Sequence, residues 1–135
     1  MKLISLIDNT AVDDKLFSEN GMSFFVEFGG KNYIIDTGLT GKAAENARRM
    51  QLPTDELDAV VLTHNHAAHV GGIDSFMRLS PDAEIYLRAG AQTERFRKTG
   101  FFKEPVGAGK AFFKKYADDP VSYTHLRAHE TDQYL

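Results

Sequence analysis

Three histidines fall within six residues, at His64, His66 and His69, directly after the apolar run Val60-Val61-Leu62 and its polar end, Thr63. Imidazole is the commonest metal ligand in proteins, and in its neutral form it suits zinc and iron. In an extended segment, residues two apart point to the same side, so His64 and His66 are placed to bind one ion together. His69 comes three residues later, where the chain has turned, and is placed to face a neighbouring ion. Gly71 and Gly72 lack a Cβ, so the backbone there can turn sharply and pass close to a metal site. A plain polar loop can also hold clustered histidines. A strand that stops at a His-x-His step and runs into Gly-Gly is an unusual coincidence for one.

The string Thr63-His64-Asn65-His66-Ala67-Ala68-His69-Val70-Gly71-Gly72 resembles the signature of the metallo-β-lactamase-fold hydrolases, usually written His-x-His-x-Asp-His. The resemblance implies His64 and His66 as ligands of a first metal and His69 as a ligand of a second. It departs at one position: Ala68 stands where the family has an aspartate, so this chain has no oxygen there for the second metal. Asp36-Thr37-Gly38, about thirty residues earlier, matches a loop that lies under the metal site in that family. The resemblance gives Asp36 the role of supporting the metal-binding loop through hydrogen bonds rather than by ligation. Read alone, Asp-Thr-Gly is also an ordinary turn.

Composition narrows the class. With 135 residues, 42% of them hydrophobic and 26% charged, the chain is at most one domain of a globular protein. The formal net charge of −3 and the lack of a basic block argue against a nucleic-acid surface. No cysteine is present, which excludes disulfides and thiolate metal ligands. The apolar run at residues 3–7 is too short for a signal peptide or a membrane span. A cytoplasmic protein acting on a small-molecule substrate, with no membrane partner, is the resulting expectation; oligomeric state is left open.

The last segment stands apart. All eleven residues from Val121 to Thr131 follow, codon for codon, the mosaic end and read-two adapter of transposase-made sequencing libraries. Residues 121–135 are therefore expected to be a non-native tail on a domain spanning 1–120. His125 and His129 drop out of the ligand count, which leaves the three motif histidines.

Periodicity supplies the elements. A first strand is expected over residues 2–8, a polar loop over 9–21 that either borders the site or is plain surface, and a strand over 22–28. Gly29-Gly30-Lys31 reads as a hairpin turn into a strand over 32–35. Thr40 is placed to cap a helix over 41–50, with Ala43, Ala44, Ala47 and Met50 on its buried stripe. Arg48 and Arg49 read as a solvated face or a contact to an anionic substrate. A short turn over 53–57 leads to the histidine-bearing strand at 58–63, a helix over 72–79, a strand over 84–87 and a helix over 89–98. Gly107-Ala108-Gly109 reads as a loop without functional weight, since no phosphate-loop or dinucleotide pattern follows it.

This order is that of an α+β fold, the N-terminal half of an αβ/βα four-layer sandwich of the metallo-β-lactamase type. Asp8-Asn9-Thr10, Glu19-Asn20-Gly21-Met22-Ser23, Glu45-Asn46-Ala47 and Leu57-Asp58-Ala59 extend the match. They are similar to the subgroup called 7,8-dihydropterin-6-methyl-4-(β-D-ribofuranosyl)-aminobenzene-5′-phosphate synthase. The resemblance implies a metal-dependent hydrolase with one or two ions, zinc first and iron or manganese as alternatives. A bound ion there acts as a Lewis acid that activates water and polarises a phosphoester, ester or lactone. The family's remaining ligands, a later His, a bridging Asp and a final His, have no match before Pro120. The 135-residue chain alone is thus expected to be inactive. A catalytically degenerate binding or regulatory scaffold, marked by Ala68, is the alternative.

Overall fold

In a computed structural model the chain is described over residues 1–87, 96–99, 102–105, 107 and 115. The expected tail at 121–135 and residues 89–95 of the last expected helix lie outside these. Five strands form one sheet in sequence order: β1 (Lys2–Ile7), β2 (Ser23–Phe28), β3 (Lys31–Ile35), β4 (Ala59–Leu62) and β5 (Glu84–Leu87). The first three are antiparallel neighbours; β3–β4 and β4–β5 are parallel. Gly29 and Gly30, both at positive φ, close the β2–β3 hairpin as expected.

Parallel neighbours need a crossover, and helices supply it. Helix α1 (Lys42–Arg49) links β3 to β4; α2 (Ala67–Val70) and α3 (Ile73–Leu79) link β4 to β5. The pleat sends Phe25, Ile34, Val60, Leu62, Ile85 and Leu87 into one buried cluster with Ala43, Ala44 and Ala47 of α1 and Ile73 and Phe76 of α3. The opposite sheet face carries Tyr33, Val61, Glu84 and Tyr86, which line an open cavity of about 510 Å³. That cavity also takes in Leu57 and Asp58, so it lies toward the start of β4, away from the histidines that follow its end.

Two local readings change, and a third, the solvated Arg48–Arg49 face, is kept with both side chains exposed. Helix α1 begins at Lys42, so Gly41 rather than Thr40 takes the N-cap position; the Thr40 hydroxyl still accepts the Lys42 N–H at 3.3 Å while donating to the Glu19 carboxylate at 2.6 Å. Phe96–Thr99 is a strand, β6, paired antiparallel with β7 (Phe102–Pro105), where a helix was expected to run to residue 98. Cross-strand backbone pairing overrides the helical preference of its Arg and Lys, since intrinsic propensity is a weak prior. Arg48 and Arg49 bond to Glu45 of their own helix, and hydrogen bonds from Arg48 and then Arg49 hold the Glu45 carboxyl down at about 2. Arg49 also stacks over Phe17 at 4.2 Å, so this arginine pins the 9–21 loop to α1.

Helix α1 ends in a Schellman motif: Leu52 N–H donates to the Ala47 carbonyl and Gln51 N–H to the Arg48 carbonyl, both at 3.0 Å. The motif needs a left-handed residue, and Gln51 fills that position with φ 55°. A side chain there costs roughly 1 kcal/mol relative to glycine. Gln51→Gly is expected to stabilise the chain by about 0.5–1 kcal/mol, the steric relief being partly offset by glycine's greater unfolded-state entropy. Thermal unfolding checks this, with a rise in Tm of a few degrees as the expected outcome.

Candidate metal centre

The site forms where the C-terminal ends of two adjacent parallel strands meet. β3 ends into Asp36-Thr37-Gly38, and β4 ends into Thr63 and the histidines. Because β3 and β4 are in register from Tyr33↔Ala59 to Ile35↔Val61, Asp36 comes level with Leu62, one residue before Thr63. Asp36, 2% exposed, turns its side chain toward β4 with φ 55°, a left-handed conformation that aspartate tolerates better than most residues. Its Oδ1 accepts the Thr63 backbone N–H at 2.8 Å. The Thr63 hydroxyl lies 2.8 Å from Oδ2, and His69 Nδ1 lies 2.8 Å from the same oxygen. A buried carboxylate must be satisfied by donors in this way.

His69 arrives there through α2. His66 occupies the N-cap position in an extended conformation, and the single helical turn that follows carries the chain back so that residue 69 returns over Asp36. Backbone contacts fix the turn. The Thr37 N–H and hydroxyl both donate to the His69 carbonyl, at 2.6 and 3.0 Å, and Met22 N–H donates to the Ala68 carbonyl at 3.2 Å. Gly71 and Gly72 both have negative φ; what demands glycine is crowding. A Cβ on Gly71 would collide with the Leu39 carbonyl, and one on Gly72 with those of Thr37 and Thr40. The paired glycines let the histidine loop pack on the 37–40 loop.

The three imidazoles gather around His64. Its ring centroid is 4.0 Å from that of His69, tilted, and 4.6 Å from that of His66, edge-on. His64 and His69 are half-buried and His66 is exposed. One ligand atom each from Asp36, His64 and His69 fall within 4.8 Å of one another, and His66 stands beside them at the rim. Asp36 is thus inside the cluster, yet both its oxygens already accept hydrogen bonds from Thr63 or His69. The ligand atoms that converge, one each from Asp36, His64 and His69, are imidazole and carboxylate donors of the kinds that bind a zinc-type divalent ion.

Two participants were not picked out from sequence. Thr63 contacts both Asp36 and His64 Nδ1, the latter at 2.9 Å. Gly107 lies so close to Asn65 that a Cβ would collide with the Asn65 carbonyl; its place in a glycine-rich loop was the available signal. The 9–21 loop does border the site at its end, where Glu19 accepts the N–H groups of Leu39 and Thr40 at 2.8 and 3.0 Å. A Cβ at Gly21 would stand 2.7 Å from the Ala68 carbonyl oxygen.

Comparison with known proteins agrees with this geometry. The sequence profile of the Metallo-beta-lactamase superfamily matches residues 18–128. A UPF0173 metal-dependent hydrolase of Flavobacterium johnsoniae is 29% identical over 103 residues, covering 76% of this chain and 43% of that protein. A hydroxyacylglutathione hydrolase of a Synechococcus species is 31% identical over 101 residues, covering 75% of this chain and 36% of that one. Among solved structures, a metal-dependent hydrolase of the beta-lactamase superfamily superposes with a TM-score of 0.62 at 24% identity, over 82% of this chain and 38% of that chain. The chain spans between 20% and 43% of the length of the curated relatives it matches.

Replacing the carboxylate by an amide tests the holder role. Asp36→Asn keeps the shape but presents an NH2 group to donors, so one or more of them loses its acceptor. Metal affinity should fall about 10- to 100-fold, the range for lost partners of metal-binding histidines. Stability should fall by roughly 1–3 kcal/mol for the buried hydrogen bonds lost. Metal-competition titration and urea unfolding of the same variant check the two effects separately.

Proposed function

The chain belongs to the metallo-β-lactamase superfamily, and from that premise we propose that His64 and His66 hold a divalent metal, zinc first, with His69 facing a second position, for hydrolysis of a small-molecule substrate. The observation that carries this reading is the convergence of three imidazoles on one rim, with two of them tied through Nδ1 to the Asp36–Thr63 pair. A bound ion would supply Lewis-acid polarisation of a phosphoester, ester or lactone and activation of water. The chain's own residues bind and orient. Asp36 and Thr63 fix the rings, α2 sets the height of His69, and the Gly71-Gly72 approach keeps the loop from moving away. The layout of motifs from Asp8 to His64 supports placement near the dihydropterin synthase-like subgroup.

Ala68 favours a second reading. It offers no donor at the position where an aspartate would serve a second ion, so the protein either works with one metal or serves as a binding scaffold. Metal content of the purified full chain, reconstituted with zinc and desalted, separates these. About one equivalent per chain is expected, with His64→Ala/His66→Ala removing it. Ala68→Asp should raise the content toward two. No retained zinc would favour the scaffold, and two equivalents in the unaltered chain would overturn the claim that Ala68 disables a second site.

A further inference from the structure

Among the described residues, the Asp36 carboxylate reaches one histidine directly, His69. Its Oδ2 sits 2.8 Å from His69 Nδ1, and its two oxygens sit 3.1 and 2.8 Å from the Thr63 hydroxyl. That same hydroxyl sits 2.9 Å from His64 Nδ1. Each contact needs one proton, and a carboxylate has none to give. His69 must therefore carry its proton on Nδ1 and donate it to Asp36. The Thr63 hydroxyl has one proton; with a carboxylate on one side, it is donated there. The remaining contact is then satisfied only if His64 also carries a proton on Nδ1 and donates it to a lone pair of Thr63 Oγ1.

We propose that Thr63 is a positioning residue that relays the Asp36 carboxylate to His64, so that one buried acid sets the tautomer of two histidines at once. Both neutral rings then carry their lone pair on Nε2. The proposal rests on the metal-binding reading for its purpose but not for its evidence, since the proton arrangement is a property of the metal-free chain. It also accounts for a hydroxyl at the end of an otherwise apolar strand: valine would match the shape of Thr63 and lose the relay. Serine would keep it.

Long-range ¹H–¹⁵N correlation of the histidine rings, on the metal-free full chain in mildly alkaline buffer, reads tautomers directly. In the unaltered chain, His64 and His69 should both show the Nδ1–H form. In Thr63→Val, His64 should lose that preference while His69 keeps it, and the unchanged His69 signal reports that the loop remains folded. Thr63→Ser should restore the His64 pattern. Zinc affinity, measured by chelator competition, should fall about 10-fold or more in Thr63→Val and stay near the unaltered value in Thr63→Ser. A His64 proton on Nε2 in the unaltered chain would overturn the relay, and so would a Thr63→Val spectrum with His64 unchanged. If the tautomer pattern is as expected but no variant binds zinc, the relay stands and the metal reading falls.

Discussion

One buried carboxylate organises this protein's functional end. Asp36 has almost no contact with solvent, and a carboxylate taken out of water without partners costs several kcal/mol. The surrounding chain is arranged to prevent that. Its side chain collects the backbone and hydroxyl of Thr63 and the ring of His69. Its backbone N–H bonds the Val61 carbonyl at 2.8 Å, and its carbonyl accepts the buried Ser23 hydroxyl at 2.8 Å. Strands β2, β3 and β4 and the turn of α2 are thus joined at a single residue. Removing the charge removes the reason for the loop's shape.

The sheet topology explains why this happens at one end only. The change from antiparallel to parallel pairing at β3 sets the C-terminal ends of β3 and β4 next to each other, and in α/β arrangements the loops leaving such ends are where ligands bind. Three loops meet there. The 19–22 segment contributes Glu19 as an acceptor for the 39–40 backbone, the 36–40 segment contributes Asp36 and Thr37, and the 63–72 segment contributes the histidines. The glycines at 21, 71 and 72 stand where a side chain would meet another loop's backbone. Asn46 adds a brace from α1, donating to the carbonyls of Leu6 and Phe17 and so holding the end of β1 and the second half of the 9–21 loop to the helix.

Much of this was legible because it depends on short-range pattern. Apolar alternation located all five strands of the main sheet within two residues at either end, and Gly29-Gly30 announced the hairpin because only glycine takes positive φ without cost. The His-x-His step at the end of an apolar run pointed to the site by ligand chemistry alone. What escaped depends on distant partners. The helix start was set one residue early: Gly41 holds the N-cap position, while the Thr40 hydroxyl accepts from Lys42 and donates to Glu19, a residue 21 positions away. Phe96–Thr99 was misread because its pairing with Phe102–Pro105 outweighs local propensity. Gly71 and Gly72 were rightly singled out, but what they supply is clearance from the 37–40 backbone rather than freedom of φ. The support given by Asp36 came from a family resemblance. Its link to His64 through Thr63 is a matter of three-dimensional contact that no spacing rule contains.

The account stands or falls on whether the histidines bind and Asp36 only holds. Anomalous diffraction from crystals of the chain grown with zinc decides it. A metal peak about 2.0–2.1 Å from imidazole nitrogens of the motif, the normal zinc–nitrogen distance, with Asp36 still bonded to Thr63 and His69, is the predicted result. A peak on the Asp36 carboxylate, with His69 turned away from it, would contradict the account.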